Sequence, residues 1–205
     1  NFSASNPNPT LYSNKLKKMQ ITRILIHPNF SAGESRIYEN LIVLANITND
    51  IALVKLRNGP GGHMGIPMLP MPSFHTNENR LCLVHGWGCH GEKNEDINGT
   101  LAQELRLRVL NEDYCERNFE KVGVSLRLGR SRFCAGGFNC SIGVCQGDSG
   151  SGLFSRKYSR WFLEGLVSAG YEHEPDNYPS IFTKVSAFRS WISRTLRQER
   201  SSSYS

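Results

Sequence analysis

No apolar stretch of the chain approaches the roughly 20 residues that a membrane-spanning helix needs, so no membrane span is expected. No charged n-region followed by an apolar h-region opens it either, so any signal peptide is expected upstream of Asn1. Charge blocks are equally scarce. The net charge is +6 over 205 residues, and the one dense basic cluster is Lys15, Lys17 and Lys18, with Arg194, Arg197 and Arg200 spread along the last stretch of helical pattern. Such charges read as solvated faces. They give no reason to expect nucleic acid and leave an anionic surface as the one charge-driven partner. No cofactor motif is present, and none is expected. Cys82, His85, Cys89 and His90 could in principle hold zinc, but oxidised cysteines account for the same residues in a secreted protein.

What is there points to an all-β globular fold. Hydrophobic residues make up 39% of the chain and there are 19 glycines, arranged in short alternating runs long enough in total to build a sizeable core. Residues 1–19, rich in Asn, Ser and Pro, read as a surface loop or a cleavage-prone end. Gly59 to Gly65, followed by Pro67, Pro70 and Pro72, reads as a connection. From Val185 the spacing of Val185, Phe188, Trp191, Ile192 and Leu196 fits one face of a helix, and Ser201 to Ser205 are expected to be disordered. Asn1, Asn29, Asn46, Asn98 and Asn139 each open an Asn-X-Ser/Thr sequon, which suggests glycosylated loops and an extracellular location.

The most informative segment is Cys145-Gln-Gly-Asp-Ser-Gly-Ser-Gly-Leu153. An alcohol is a poor nucleophile at neutral pH and needs a base, an acid to orient the base, and backbone donors where an oxyanion forms. Gly147 and Gly150, without Cβ atoms, let the backbone beside Ser149 take unusual dihedrals, leaving the amides of Gly147 and Ser149 free to serve as that oxyanion hole. Asp50, in an Asn-Asp pair before Ile51, Ala52, Leu53 and Val54, could by itself be a turn opening a buried strand. Its place about 100 residues before the serine turn makes it the candidate for the carboxylate that fixes an imidazole tautomer.

These blocks, in this order, resemble the chymotrypsin-like (trypsin family) serine proteases. The likeness covers about residues 20 to 197 and is carried by Ile24 to Phe30, Asn49 to Leu56, Pro67-Met-Leu-Pro70, Gly86-Trp-Gly88, Phe133-Cys-Ala-Gly136, the serine turn, and Phe182 to Trp191 leading into a terminal helix. It implies two antiparallel six-stranded β-barrels, the first incomplete in this chain, with a C-terminal helix. Residues 1–78 are then the remainder of the first barrel with the inter-barrel connection, and residues 79–205 the second barrel, helix and tail. It also implies a secreted serine endopeptidase acting on protein substrates, made as a zymogen, with Asp148 as the acid that pairs with a newly freed amine on activation. Asn1 is not the small hydrophobic residue that begins an activated family chain.

One part of the pattern is missing. The family's Ala-Ala-His-Cys block does not occur before Asp50, where His27 is the only histidine and belongs to an Ile-His-Pro strand-to-turn element; His63, His75, His85, His90 and His173 match no triad position. The expectation is that an N-terminal segment of the same protein supplies the histidine and completes the first barrel, since open barrel edges invite aggregation. The alternative is a catalytically inactive, protease-like binding or adaptor protein. Without its base, a triad loses on the order of a million-fold in turnover.

The resemblance also assigns a substrate pocket and disulfides. Gly143 stands at the pocket base, where trypsin-like members carry an aspartate, so cleavage after Arg or Lys is disfavoured and a mid-sized apolar residue is expected. Gly170 and Ser180 form the walls, with Ser168 and Ala169 on the strand that pairs with substrate. Cys115 and Cys134 match a family disulfide. Cys82 resembles a cysteine whose partner position is Ser155 here, and Cys145 has also lost its family partner; Cys82, Cys89, Cys140 and Cys145 allow three pairings, with Cys140–Cys145 and Cys82–Cys89 preferred. The Gly-Asp-Ser-Gly-Ser-Gly-Leu turn after an Asn-Cys-Ser loop is similar to modular proteases of arthropod extracellular cascades.

Overall fold

The computed structural model describes residues 19–33, 36–38, 41–43, 47–57, 69–71, 77–88, 102–137, 143–144, 146–170 and 178–201, with the backbone alone for 36–38 and 41–43. The chain forms two compact units, Asn1–Leu25 with Ala52–Ile66, and Ile26–Ile51 with Pro67–Ser205. In the first, strand β1 (Ile21–Ile26) pairs with β4 (Ala52–Leu56) in a two-stranded sheet. The Arg57 amide donates to the Gln20 carbonyl and the Thr22 hydroxyl to the Lys55 carbonyl. Between them in sequence, β2 (Arg36–Tyr38) and β3 (Leu41–Val43) form an antiparallel hairpin.

The second unit contains a closed antiparallel barrel of six strands. These are β5 (Leu81–Gly86), β6 (Gln103–Val109), β7 (Arg132–Gly136), β8 (Gly152–Lys157), β9 (Arg160–Ala169) and β10 (Ser180–Lys184), ordered β10-β7-β6-β5-β8-β9 around the wall. Strand side chains alternate between faces, and the sequence uses this. Cys82 and Val84 of β5, Leu107 and Val109 of β6, Phe133 and Ala135 of β7, Leu153, Val167 and Phe182 turn inward into one cluster with Val144. Phe133 and Phe182 stack at 5.5 Å. Gly165 makes room for them, since a Cβ there would lie 2.7 Å from the Phe133 ring.

Strand β7 is buried along its whole length because its outer face is covered too. Helix α1 (Glu112–Glu120) starts at Asn111, whose side chain accepts from the Tyr114 amide, a standard N-cap. It places Cys115 and Phe119 against Val124, Leu126, Leu128, Cys134 and Ile181. The expected Cys115–Cys134 disulfide is formed there, with the Cα atoms 6.6 Å apart. Beyond β10, a 3₁₀ turn (Val185–Phe188) leads into helix α2 (Arg189–Ser201), which buries Trp191 and Ile192 as its spacing indicates; Leu196, expected on the same face, is exposed because the barrel no longer underlies that turn, and Ser201, expected to be disordered, is the last helical residue.

The barrel also holds a buried polar group at Glu164 that the sequence pattern does not announce. Cys82 stands directly across from Ser155 in the β5–β8 register, the two positions that the family resemblance joins by a disulfide. Ser155 donates instead to the fully buried Glu164 carboxylate, and Arg80 lies 3.9 Å from the same oxygen. Cys82 is a buried free thiol, pushed up to about 12 by burial first and by the Glu164 charge second, with Arg80 opposing. Its expected partner Cys89, and Cys140 and Cys145, lie outside the described residues.

Candidate active site

The Ser149 turn owes its shape to two glycines. Gly147 has φ +100° and Gly150 φ +82°, conformations that cost an L side chain energy and glycine almost none. The turn is closed by the Ser151 amide donating to Asp148 O, and it is fastened to β9 by Gly150 N–H to Val167 O and Val167 N–H to Ser151 O. Ser149 is left exposed at its apex. Among the described residues, neither the Gly147 nor the Ser149 amide donates to a main-chain carbonyl.

Asp148 turns the other way. It is 4% exposed, and Oδ1 accepts from the Gly88 amide at 2.9 Å. The Gly86-Trp87-Gly88 triplet is built around this carboxylate. A Cβ on Gly86 would fall 1.8 Å from Asp148 Oδ1, and one on Gly88 would fall 2.7 Å from Asp148 Cγ. The triplet was legible as a family block; its role as the cradle of Asp148 was not.

Asp50 sits on a second staked turn. Asn49 takes a left-handed φ of 53°, tolerable for Asn, and its side chain donates to Asn29 O at 2.8 Å. A bridge pairs Ser31 with Thr48, and Arg132 of β7 donates to Ile47 O at 3.1 Å. Burial of that guanidinium lowers its pKa. With the turn held, Asp50 Oδ2 accepts the Ser168 hydroxyl at 2.8 Å. Two residues predicted for different roles, the orienting carboxylate and the substrate strand, are thus joined directly. Asp50 Oδ1 has no partner among the described residues.

The histidines within the described residues are engaged elsewhere. His27 donates its backbone amide to Ile51 O, and its Nδ1 accepts from the Asn29 amide. Its ring packs on Phe188 at 5.3 Å and Trp191 at 4.9 Å. Burial, and then the Arg194 charge, lower its pKa. His85 pairs with Glu104 at 3.2 Å on the outer face of β5. Cys82 faces the barrel interior on that strand, so these two cannot share a zinc ion. His63, His75, His90 and His173 lie outside the described residues.

Two of the expected pocket residues, Gly170 and Ser180, meet at Val144. The Val144 amide lies 3.4 Å from Ser180 Oγ as its donor, and a Cβ on Gly170 would meet Val144 O at 3.7 Å and Ser180 Oγ at 4.0 Å. Gly143 precedes Val144, and Ala169 is registered against Ile181, the residue after Ser180. Val144 was missed in the sequence because its contribution is its backbone amide and carbonyl. Of the sequon asparagines, Asn29 is exposed in its turn; Asn1, Asn46, Asn98 and Asn139 fall outside the described residues.

Comparison with known proteins agrees with this geometry. The family model described as Trypsin matches residues 4–192. Trypsin of Xenopus laevis is 30% identical over 178 residues, covering 85% of this chain and 62% of that protein. Phenoloxidase-activating factor 1 of Holotrichia diomphalia is 31% identical over 180 residues, covering 86% and 45%. The chain therefore spans less than two thirds of the length of either relative. The solved structure of neuropsin, a serine protease expressed in the limbic system of mouse brain, matches with a TM-score of 0.65 over 88% of this chain and 72% of that one, at 21% identity, a likeness of fold. The family match over residues 4–192, together with the closed six-stranded barrel, identifies the chain as a member of the trypsin family of chymotrypsin-like serine proteases.

Proposed function

We propose that this protein is a secreted serine endopeptidase of an extracellular proteolytic cascade, with Ser149 as nucleophile and Asp50 as the orienting acid. The base is a histidine on a segment of the same protein outside these residues. The observation that carries the reading is the Asp50–Ser168 hydrogen bond: it fixes one carboxylate oxygen on the substrate strand and leaves Oδ1 for an imidazole N–H. A binding scaffold has no physical need for that arrangement beside an exposed serine. The relative named phenoloxidase-activating factor, and the reach of both relatives beyond the matched stretch, support the cascade role and the additional segment.

In this mechanism the histidine removes the proton from Ser149 Oγ as Oγ bonds to the scissile carbonyl carbon, and the oxyanion takes the Gly147 and Ser149 N–H groups. The C–N bond then breaks, the histidine returns its proton to the leaving amine, and water hydrolyses the acyl ester by the same steps. Gly143 at the pocket base and the Ser180 hydroxyl in its wall favour a mid-sized apolar residue and disfavour Arg or Lys. Asp148 would pair with the amine freed on zymogen activation and hold the oxyanion hole in shape.

A fluorophosphonate probe on native, non-reduced, full-length protein tests this. Labelling at Ser149, absent in Ser149→Ala, is expected. The commitment of His27 and His85 to other contacts is the observation that favours an inactive adaptor, and intact, proteolytically activated protein without labelling would establish that second reading.

A further inference from the structure

Helix α2 has an exposed side of unusual composition. At about 100° per residue, with Arg189 as origin, Arg200 stands near 20°, Ser193 near 40°, Arg197 near 80°, Ser190 near 100° and Arg194 near 140°. The buried Trp191 and Ile192 stand near 200° and 300°, and Glu199, the one acid of the helix, near 280°. With Ser201 near 120°, an arc of about 140° thus carries four arginines and three serines with no carboxylate and no apolar residue. All four arginines are exposed, and none is in an ion pair among the described residues. The helix dipole accounts for cations in a last turn, but Arg189 is the first residue of α2, where that dipole opposes it, and the first turn holds no acid. Like charges at i, i+3 (Arg194, Arg197 and Arg200) further weaken an isolated helix. The face is therefore charged against the helix's own preference, over about 16 Å from Arg189 to Arg200.

We infer that the arginine face of α2 is a docking site for a sulfated glycosaminoglycan. This rests on the reading of the protein as secreted. A row of guanidinium groups matches a linear chain of sulfates and carboxylates, which they bind through paired N–H donors. Leu196, 48% exposed near 340°, borders the arc as a lone apolar side chain, too small a patch to seat an apolar peptide. A single-stranded nucleic acid finds no aromatic side chain on which to stack a base.

The test is binding of full-length protein to immobilised heparin as a function of salt. Retention above about 0.15 M salt is expected, and the triple variant Arg194→Gln/Arg197→Gln/Arg200→Gln should bind about tenfold or more weakly, with a salt slope shallower by roughly three. The matching Arg→Lys triple should recover part of the affinity, which separates loss of charge from loss of fold. Lys15→Gln/Lys17→Gln/Lys18→Gln should bind as wild type does. The inference is overturned if the glutamine triple keeps wild-type affinity, if the lysine-cluster variant loses as much, or if a DNA duplex of equal charge competes as well as soluble heparin. Fluorophosphonate labelling is read on the same proteins, so failure of the protease reading (retention without labelling) and failure of glycan binding (labelling without retention) give different results.

Discussion

Gly86→Ala is the sharpest probe of how the serine turn is held. The added Cβ would lie 1.8 Å from Asp148 Oδ1 and 2.7 Å from Cγ, whereas unstrained non-bonded heavy atoms sit about 3.5 Å apart. The carboxylate must retreat by roughly 1.5 Å, yet it is 4% exposed and anchored to the Gly88 amide. Breaking that charge-assisted bond costs about 1.5–3 kcal/mol, and overpacking adds about 1–3 kcal/mol. A loss of about 3–5 kcal/mol is expected in urea denaturation. Ser149 is the next residue in the chain, and a misplacement of about 1 Å at a reacting group costs on the order of a hundredfold in rate, so fluorophosphonate labelling should slow by at least that factor. Gly88→Ala, with its closest contact at 2.7 Å to Asp148 and to Gln146 O, should rank below it. A Gly86→Ala protein that labels within about twofold of wild type and keeps its stability would show that the glycine triplet is not what positions Asp148.

Two further outcomes follow from backbone and burial. The β8–β9 turn puts Tyr158 at φ 49° and Ser159 at φ 62°, where hairpins favour Asn-Gly; Tyr158→Asn with Ser159→Gly should raise the urea-derived stability by about 1–2 kcal/mol, and no gain would mean that the contact of Lys157 with the Tyr158 ring at 5.2 Å offsets the strain. Cys82 keeps its proton to about 12 in the folded state against 9.0 when unfolded, so its contribution is complete below pH 9 and falls as pH rises towards 12. Between those values wild type should lose stability faster than Cys82→Ala by about 1.4 kcal/mol per pH unit, and equal slopes would refute the assignment.

Much of the fold was legible because its signals are local. Alternation along β5 to β10 marks which side chains enter the barrel, the spacing from Val185 to Ile192 marks a helix face, and Gly147 and Gly150 flank Ser149 at the positions where φ turns positive. The Cys115–Cys134 bond followed from a family position. What stayed hidden depends on atoms that residue types do not announce. The Val144 amide that donates to Ser180, the carbonyl of Ile47 that receives Arg132, and the space that Gly86 and Gly88 leave for Asp148 are backbone features set by tertiary placement. The Asp50–Ser168 contact joins residues 118 apart in sequence, and neither neighbourhood predicts it.

The interior of the barrel shows the same limit in a different form. Read singly, Ser155 is the loss of a disulfide partner and Glu164 is a carboxylate in the middle of β9. Together they are one arrangement. A fully buried carboxylate is tolerable only with hydrogen bonds and a cation, and Ser155 and Arg80 stand where they provide them. The side chain that replaces the cysteine is thus the donor that the new acid requires, while Cys82 remains opposite, protonated and packed among apolar neighbours. Where the family resemblance implies covalent closure between β5 and β8, this protein has a polar cluster of Arg80, just before β5, with Ser155 of β8 and Glu164 of β9. Removing Ser155 takes a hydrogen bond from the buried Glu164 carboxylate, a loss of about 1.5–3 kcal/mol, whereas Ser155→Cys would offer Cys82 a disulfide partner only by taking that donor away.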